Sequence, residues 1–125
     1  MIQSHFYPIG TPGQAWGAEE LLQWRARQVR QRSYADDVLA HIEQFRARFD
    51  VAPYGDLAYA GDHYPLMAIR SRDWLPHLPC VLVTGGVHGY ETSGVQGALR
   101  FVAEQAAAYA GRVNLLVAPC VSPWA

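Results

Sequence analysis

The spacing of apolar and polar positions changes several times along this chain, and each change marks an element. Residues 1–17 hold three glycines and two prolines and read as irregular. From Ala18, the stretch AEELLQWRARQVRQR puts Leu21, Leu22, Arg25 and Val29 at helical spacing, with Glu19 and Glu20 at the positively polarised start. That predicts a helix with a thin apolar stripe. SYADDVLAHIEQFRARFD predicts a stronger one, because Val38, Leu39, Ile42, Phe45 and Phe49 line a single face. Ser33 followed by Asp36 has capping-box spacing, with Asp standing where Glu is usual.

The period then falls to two. YGDLAYA and HYPLMAIRS read as two antiparallel strands about a tight Gly61-Asp62 turn, with Pro65 suited to an edge or a strand start. RDWLPHLP reads as a loop. CVLVTGG is a short buried strand, ETSGVQGALRFVAEQAAAYAG a helix with Val95, Ala98, Leu99, Val102 and Ala106 on one face and Gly111 at its stop, and VNLLVAP a second apolar strand. Strand, helix and strand in that order make a βαβ unit with two parallel strands and a right-handed crossover. The expected fold class is α/β: a mixed β-sheet with flanking helices on its faces, in one domain spanning residues 1–125, without repeats or low-complexity segments.

Composition narrows the function classes. Half of the 125 residues are hydrophobic, and 10 basic against 11 acidic side chains leave a net charge of −1. A modest core fits that size. No basic excess invites nucleic acid, and no apolar run approaches the roughly 20 residues of a membrane span. MIQSHFYPIG lacks the features of a signal peptide, so the cytoplasm is the expected location. Cys80 and Cys120 are too few for a disulfide framework and fall at opposite ends of the predicted parallel pair, so both are expected as buried free thiols.

Candidate chemistry gathers in VLVTGGVHGYETSG. His88 and Glu91 stand where a buried parallel strand hands over to a helix, the place where open α/β sheets bind ligands. Gly85, Gly86 and Gly89 allow a sharp turn and leave room beside the imidazole. Imidazole and carboxylate are both good zinc ligands, and two intervening residues let them converge on one ion. The same spacing also suits a helix start, with Glu91 on free backbone N–H groups and His88 filling a turn. Elsewhere the expectations are structural. His41, His63 and His77 read as solvated, Tyr90 as packed on a neighbouring loop, and Thr92 or Ser93 as the helix cap. Trp16, Trp24, Trp74 and Trp124 read as packing residues, and Arg70 and Arg72 as a solvated strand end.

GGVHGYETSG resembles the zinc-ligand motif of the zinc carboxypeptidase superfamily, which includes the succinylglutamate desuccinylase and aspartoacylase-like enzymes. That family's first two ligands correspond to His88 and Glu91. NLLVAPCVSPWA is similar to the next family strand and its Asn-Pro segment, with Ser122-Pro123 in place of Asn-Pro, and a looser likeness reaches back to Tyr54-Gly55 and Ser33. The resemblance implies the N-terminal portion of a zinc-carboxypeptidase-like (phosphorylase/hydrolase-like) fold. It implies one catalytic zinc held by two histidines and a glutamate, a separate glutamate base, and arginines that fork onto a substrate carboxylate. The expected substrate is a peptide losing its C-terminal amino acid or an acyl-amino-acid amide.

In that family the second histidine, the arginines and the base all follow the Asn-Pro segment, so no position here corresponds to them. His5, His41, His63 and His77 match none of these roles. The expectation is a hydrolase segment inactive by itself, and the alternative is a non-catalytic module that oligomerises. The family's strand order implies that CVLVT is the outer strand of this stretch, with an apolar edge. Either further polypeptide of the same chain covers that edge, which is the preferred expectation, or another copy does.

Overall fold

The structure, a computed structural model, describes residues 8–123 and divides the chain into two compact units, Met1–Arg32 and Ser33–Ala125. In the first unit, helix α1 (Ala18–Arg27) buries none of its side chains, in keeping with its thin apolar stripe. It stops five residues before the predicted helical stretch does. At its start Glu20 Oε2 accepts the Gly17 amide at 2.8 Å. Trp16 lies against Gly10, whose positive φ of 78° and lack of a side chain leave the space the indole takes. His5 and Trp124 lie outside the described residues.

The second unit opens with a continuous helix, α2 (residues 35–47), in three hydrogen-bonding patterns. Ala35–Leu39 is wound wide as a π turn, Ala40–Glu43 is α-helical and Gln44–Ala47 tightens to 3₁₀. The wide first turn changes the cap. Ser33 Oγ accepts the Asp36 amide at 3.1 Å, but the carboxylate that returns to the Ser33 amide, at 3.0 Å, belongs to Asp37. Val38, Ile42 and Phe45 are buried along α2, with Phe49 just beyond it, as the stripe predicts.

Four strands form one sheet in the order β1-β2-β4-β3. β1 (Asp50–Tyr59) and β2 (Asp62–Arg70) are the antiparallel hairpin. Their turn lies one residue earlier than the sequence suggests. Tyr59 pairs with Asp62, so Ala60 and Gly61 form the two-residue loop, with φ of 50° and 86°. Positive φ at both central positions is what a hairpin's right-handed twist selects. β1 also begins earlier than predicted, at Asp50, and bulges between Pro53 and Gly55. β2 meets β4 (Asn114–Ala118) only at Ile69 and Arg70. Pro65, inside β2, lies beyond that contact and is not asked for a second ladder bond.

β3 (Cys80–Thr84) pairs with β4 in parallel over its whole length, from Cys80–Asn114 to Thr84–Ala118. Helix α3 (Thr92–Glu104) connects them, followed by a 3₁₀ turn at Ala106–Tyr109 and Gly111 at φ 73°. Alternation then separates two faces. Met67, Ile69, Leu115 and Val117 join α2 and α3 in one core, with Val51 and Val83 packed against it. Leu82 and its register partner Leu116 have the opposite parity and turn to the other face, where Leu82 is 63% exposed. β3 is indeed an outer strand, with β1 at the opposite edge. Cys80, which shares the parity of Leu82 on this outer strand, is exposed rather than buried; Cys120 is buried, and both are free thiols. No helix among the described residues is long and apolar enough to cross a membrane.

The link from β2 to β3 is held by two polar residues that periodicity does not reveal. Asn114 is 1% exposed; its Oδ1 accepts the Leu75 amide at 2.8 Å and its Nδ2 donates to Leu75 and Leu78 carbonyls at 2.7 and 3.3 Å. Ser71 Oγ accepts the Leu115 amide at 3.0 Å. Arg70 and Arg72 are exposed, as expected, and also make surface contacts. Both reach Asp50, at 3.3 and 3.8 Å, Arg72 also donates to the Arg46 carbonyl, and Arg70 lies over Trp74.

Candidate metal centre

The pairing of β3 with β4 does not end with the strands. Gly85 donates its amide to the Ala118 carbonyl at 2.9 Å, and Val121 and Ser122 donate theirs to the carbonyls of Gly85 and Gly86, each at 3.0 Å. The two segments that carry the family resemblance, GGVHGYE and SP, therefore run side by side at the carboxyl end of the parallel pair. Gly85 is needed there for space. A Cβ would stand 2.6 Å from the Gly94 carbonyl oxygen in α3 and 2.7 Å from that of Pro119. Gly86 is needed for its φ of 61° as well, and a Cβ on it would meet Val95 at 2.7 Å. α3 thus docks directly on the strand ends, and the chain between must leave the sheet abruptly.

That departure builds the turn holding the predicted ligands. The Glu91 amide donates to the His88 carbonyl at 2.9 Å, closing a turn of four residues. Turn closure brings the two end Cα atoms to within about 7 Å, short enough for an imidazole and a carboxylate to meet on one ion. The turn precedes the helix and does not belong to its first coil, since α3 begins at Thr92.

Both side chains are exposed, and neither has a hydrogen bond or ion pair with any described residue. Glu91 occupies the N-cap position with φ −88° and ψ 84°, yet makes no side-chain capping bond. The helix-start reading of Glu91 does not describe this structure, and the expectation that Thr92 or Ser93 caps α3 fails too, because the cap residue is Glu91 and no side chain caps it. A turn that presents residue 91 outward leaves the start of α3 without a side-chain cap.

The donor set fits a metal in kind: one imidazole and one carboxylate, uncommitted and on one closed turn. It fits in number only in part. Among the described residues no group of three or more His, Cys, Asp or Glu side chains could hold a metal ion. Catalytic zinc uses three protein ligands as a rule. His41 is exposed on α2 and His77 in the β2–β3 link; His63, in β2 rather than in a turn, sits 2.6 Å from Asp56. Cys120, close beneath Gly86, is buried, and burial pushes its thiol above the usual range, against the smaller effect of the Ser122 amide.

Sequence reasoning missed the position of Tyr90. It is 66% exposed instead of packed on a loop, and its ring meets that of His88 edge-to-face, with centroids 6.1 Å apart and planes at 82°. An aromatic residue between two predicted ligands was the available signal.

No family model and no curated protein matches the chain. Solved structures do. A "putative metallopeptidase" of Shewanella baltica OS155 is 30% identical, with a TM-score of 0.59 over 70% of this chain and 32% of its own. Those described in the same words from Shewanella amazonensis SB2B and Shewanella denitrificans OS217 are each 27% identical, with TM-scores of 0.55 and 0.58 over 72% and 70% of this chain. The chain spans about a third of the length of each of these structures. Its mixed sheet and flanking helices are thus similar to the fold of proteins described as metallopeptidases.

Proposed function

We propose that this chain carries the first part of a zinc-dependent hydrolase of the metallocarboxypeptidase type, with His88 and Glu91 as metal ligands. The substrate is a peptide that loses its C-terminal amino acid, or an acyl-amino-acid amide. The observation that carries this reading is the uncommitted imidazole–carboxylate pair on one closed turn, at the carboxyl end of a parallel strand. The fold shared with the Shewanella proteins supports the metallopeptidase part.

Each residue has a defined task. His88 offers a neutral nitrogen lone pair and Glu91 a charged oxygen, a combination that suits zinc. Gly85 and Gly86 hold the turn against the sheet, so the backbone that carries the two donors is placed relative to β3. The ion, when bound, polarises a scissile carbonyl as a Lewis acid. No base is assigned, because no described side chain joins the pair. With two donors the segment is inactive alone, and the third ligand comes from outside the described residues.

One observation favours a second reading, a non-catalytic module that associates through β3: the outer strand presents Val81 and Leu82 to solvent. Metal analysis separates the two. The purified chain, dialysed against zinc, should retain about one equivalent, and His88→Ala and Glu91→Ala should each lose it. Zinc content unchanged in His88→Ala removes His88 from the site.

A further inference from the structure

From the ring geometry we infer that Tyr90 is a positioning residue: it sets the orientation of the His88 imidazole for metal capture. The inference rests on His88 being a ligand. A ligating histidine is ordinarily oriented by a hydrogen bond from its second ring nitrogen to a carboxylate, carbonyl or water. Among the described residues His88 has no such partner, and the group that meets its ring is the phenol of Tyr90. A centroid separation of 6.1 Å and an interplanar angle of 82° fall within the favoured edge-to-face range for aromatic pairs.

Backbone geometry makes that contact possible. Gly89 separates the two rings and adds no side chain between them, and the Glu91 amide closes on the His88 carbonyl, so both rings stand on one four-residue turn. Tyr90 is not held there by a core, since it is 66% exposed, as is its neighbour Val87 at 61%. Without the contact an exposed imidazole samples its rotamers freely, and that freedom must be lost whenever a metal binds. Restricting the ring beforehand lowers this cost, so the effect of Tyr90 should appear in metal affinity.

The test uses the whole chain and zinc alone. NMR of the metal-free protein should show His88 ring protons shifted by the neighbouring ring current. The shift should vanish in Tyr90→Leu and persist in Tyr90→Phe. Zinc affinity should fall about two- to tenfold in Tyr90→Leu and stay at the wild-type value in Tyr90→Phe, the range a single aromatic pair supports. Dispersion of the α3 amide resonances confirms that each variant is folded, as expected for changes at an exposed position. His88 resonances and zinc affinity both unaltered in Tyr90→Leu would overturn the inference. Failure of the ligand reading looks different: zinc affinity is then insensitive to His88→Ala, and the inference falls with it whatever the ring protons show.

Discussion

Ser122 donates its backbone amide to the carbonyl of Gly86 at 3.0 Å, two residues before His88. The bond ties the end of the β4 segment to the base of the turn that carries His88 and Glu91. It requires the close approach that only glycine permits at positions 85 and 86. Gly85→Ala would drive a methyl group into the backbone oxygens of Gly94 and Pro119. Neither can withdraw as a flexible side chain would, so the cost should reach about 3 kcal/mol, the upper part of the overpacking range. Gly86→Ala combines a clash with Val95 and a left-handed φ, which alone costs roughly 1–2 kcal/mol. Chemical denaturation should rank both variants well below wild type, and both should lose zinc before they lose helical circular dichroism.

Asn114 gives the sharpest prediction away from the turn. Its amide group is fully buried and serves both a donor and acceptors of the β2–β3 link. Asn114→Ala leaves the Leu75 amide and two carbonyls without partners, at about 1–3 kcal/mol. Asn114→Asp keeps the acceptor for Leu75 but cannot donate when ionised, and it adds a buried charge, so it should be the worse of the two at pH 7. Urea midpoints rank them, and faster hydrogen exchange in residues 72–79 would locate the damage.

How far the sequence discloses this structure depends on which physical signal each part uses. The α3 stripe and the apolar runs of β3 and β4 are strong signals, and they yield the βαβ unit and the parallel pair; the outer position of β3 follows only from the family resemblance. Ala60 at positive φ shows where periodicity stops. A residue with a Cβ rarely takes that conformation, so Gly61-Asp62 looked the better turn, yet pairing of Tyr59 with Asp62 forces the loop back by one. Asp37, not Asp36, closes the cap because the π turn widens the first coil, a shift that spacing rules for α-helices cannot register. The sharp turn that carries His88 and Glu91 was legible in its glycines. No third donor for the proposed pair was legible, and none stands beside it among the described residues. The exposure of Cys80 depends on which face of an outer strand other elements cover, which tertiary packing decides and local hydrophobicity does not.

Alkaline pH should destabilise the second unit through Tyr34. Burial holds its hydroxyl protonated well above the ordinary tyrosine range, with smaller contributions from Cys120 and Tyr54, and the hydroxyl donates to the Pro65 carbonyl at 2.7 Å. A raised pKa in the folded state leaves stability intact below the unfolded value, near 10, and loses it as pH rises further, because the unfolded chain then releases the proton more readily. Cys120, raised chiefly by burial, acts in the same direction from about pH 9. Tyr34→Phe removes the hydrogen bond and should cost about 1 kcal/mol at pH 7. Above pH 10 the difference from wild type should shrink, since the variant has no hydroxyl to ionise. Denaturation midpoints measured from pH 7 to 11 check both signs; a gap that widens with pH contradicts them.

The outer edge of β3 makes the last prediction. Val81 and Leu82 are exposed there, and the strand's unpaired backbone groups offer a template for another strand. Natural edges are commonly blunted by lysine, and here none is present. The chain should therefore self-associate with rising concentration, and Leu82→Lys should weaken that association. Because Leu82 is already largely in water, the substitution should change monomer stability by no more than about 0.5 kcal/mol. Sedimentation equilibrium of the two proteins, with urea midpoints alongside, separates the effects. Lower association at equal stability identifies the edge as the contact. Association unchanged in Leu82→Lys would assign it to another surface, and the reading of the chain as a module that oligomerises through β3 would lose its support.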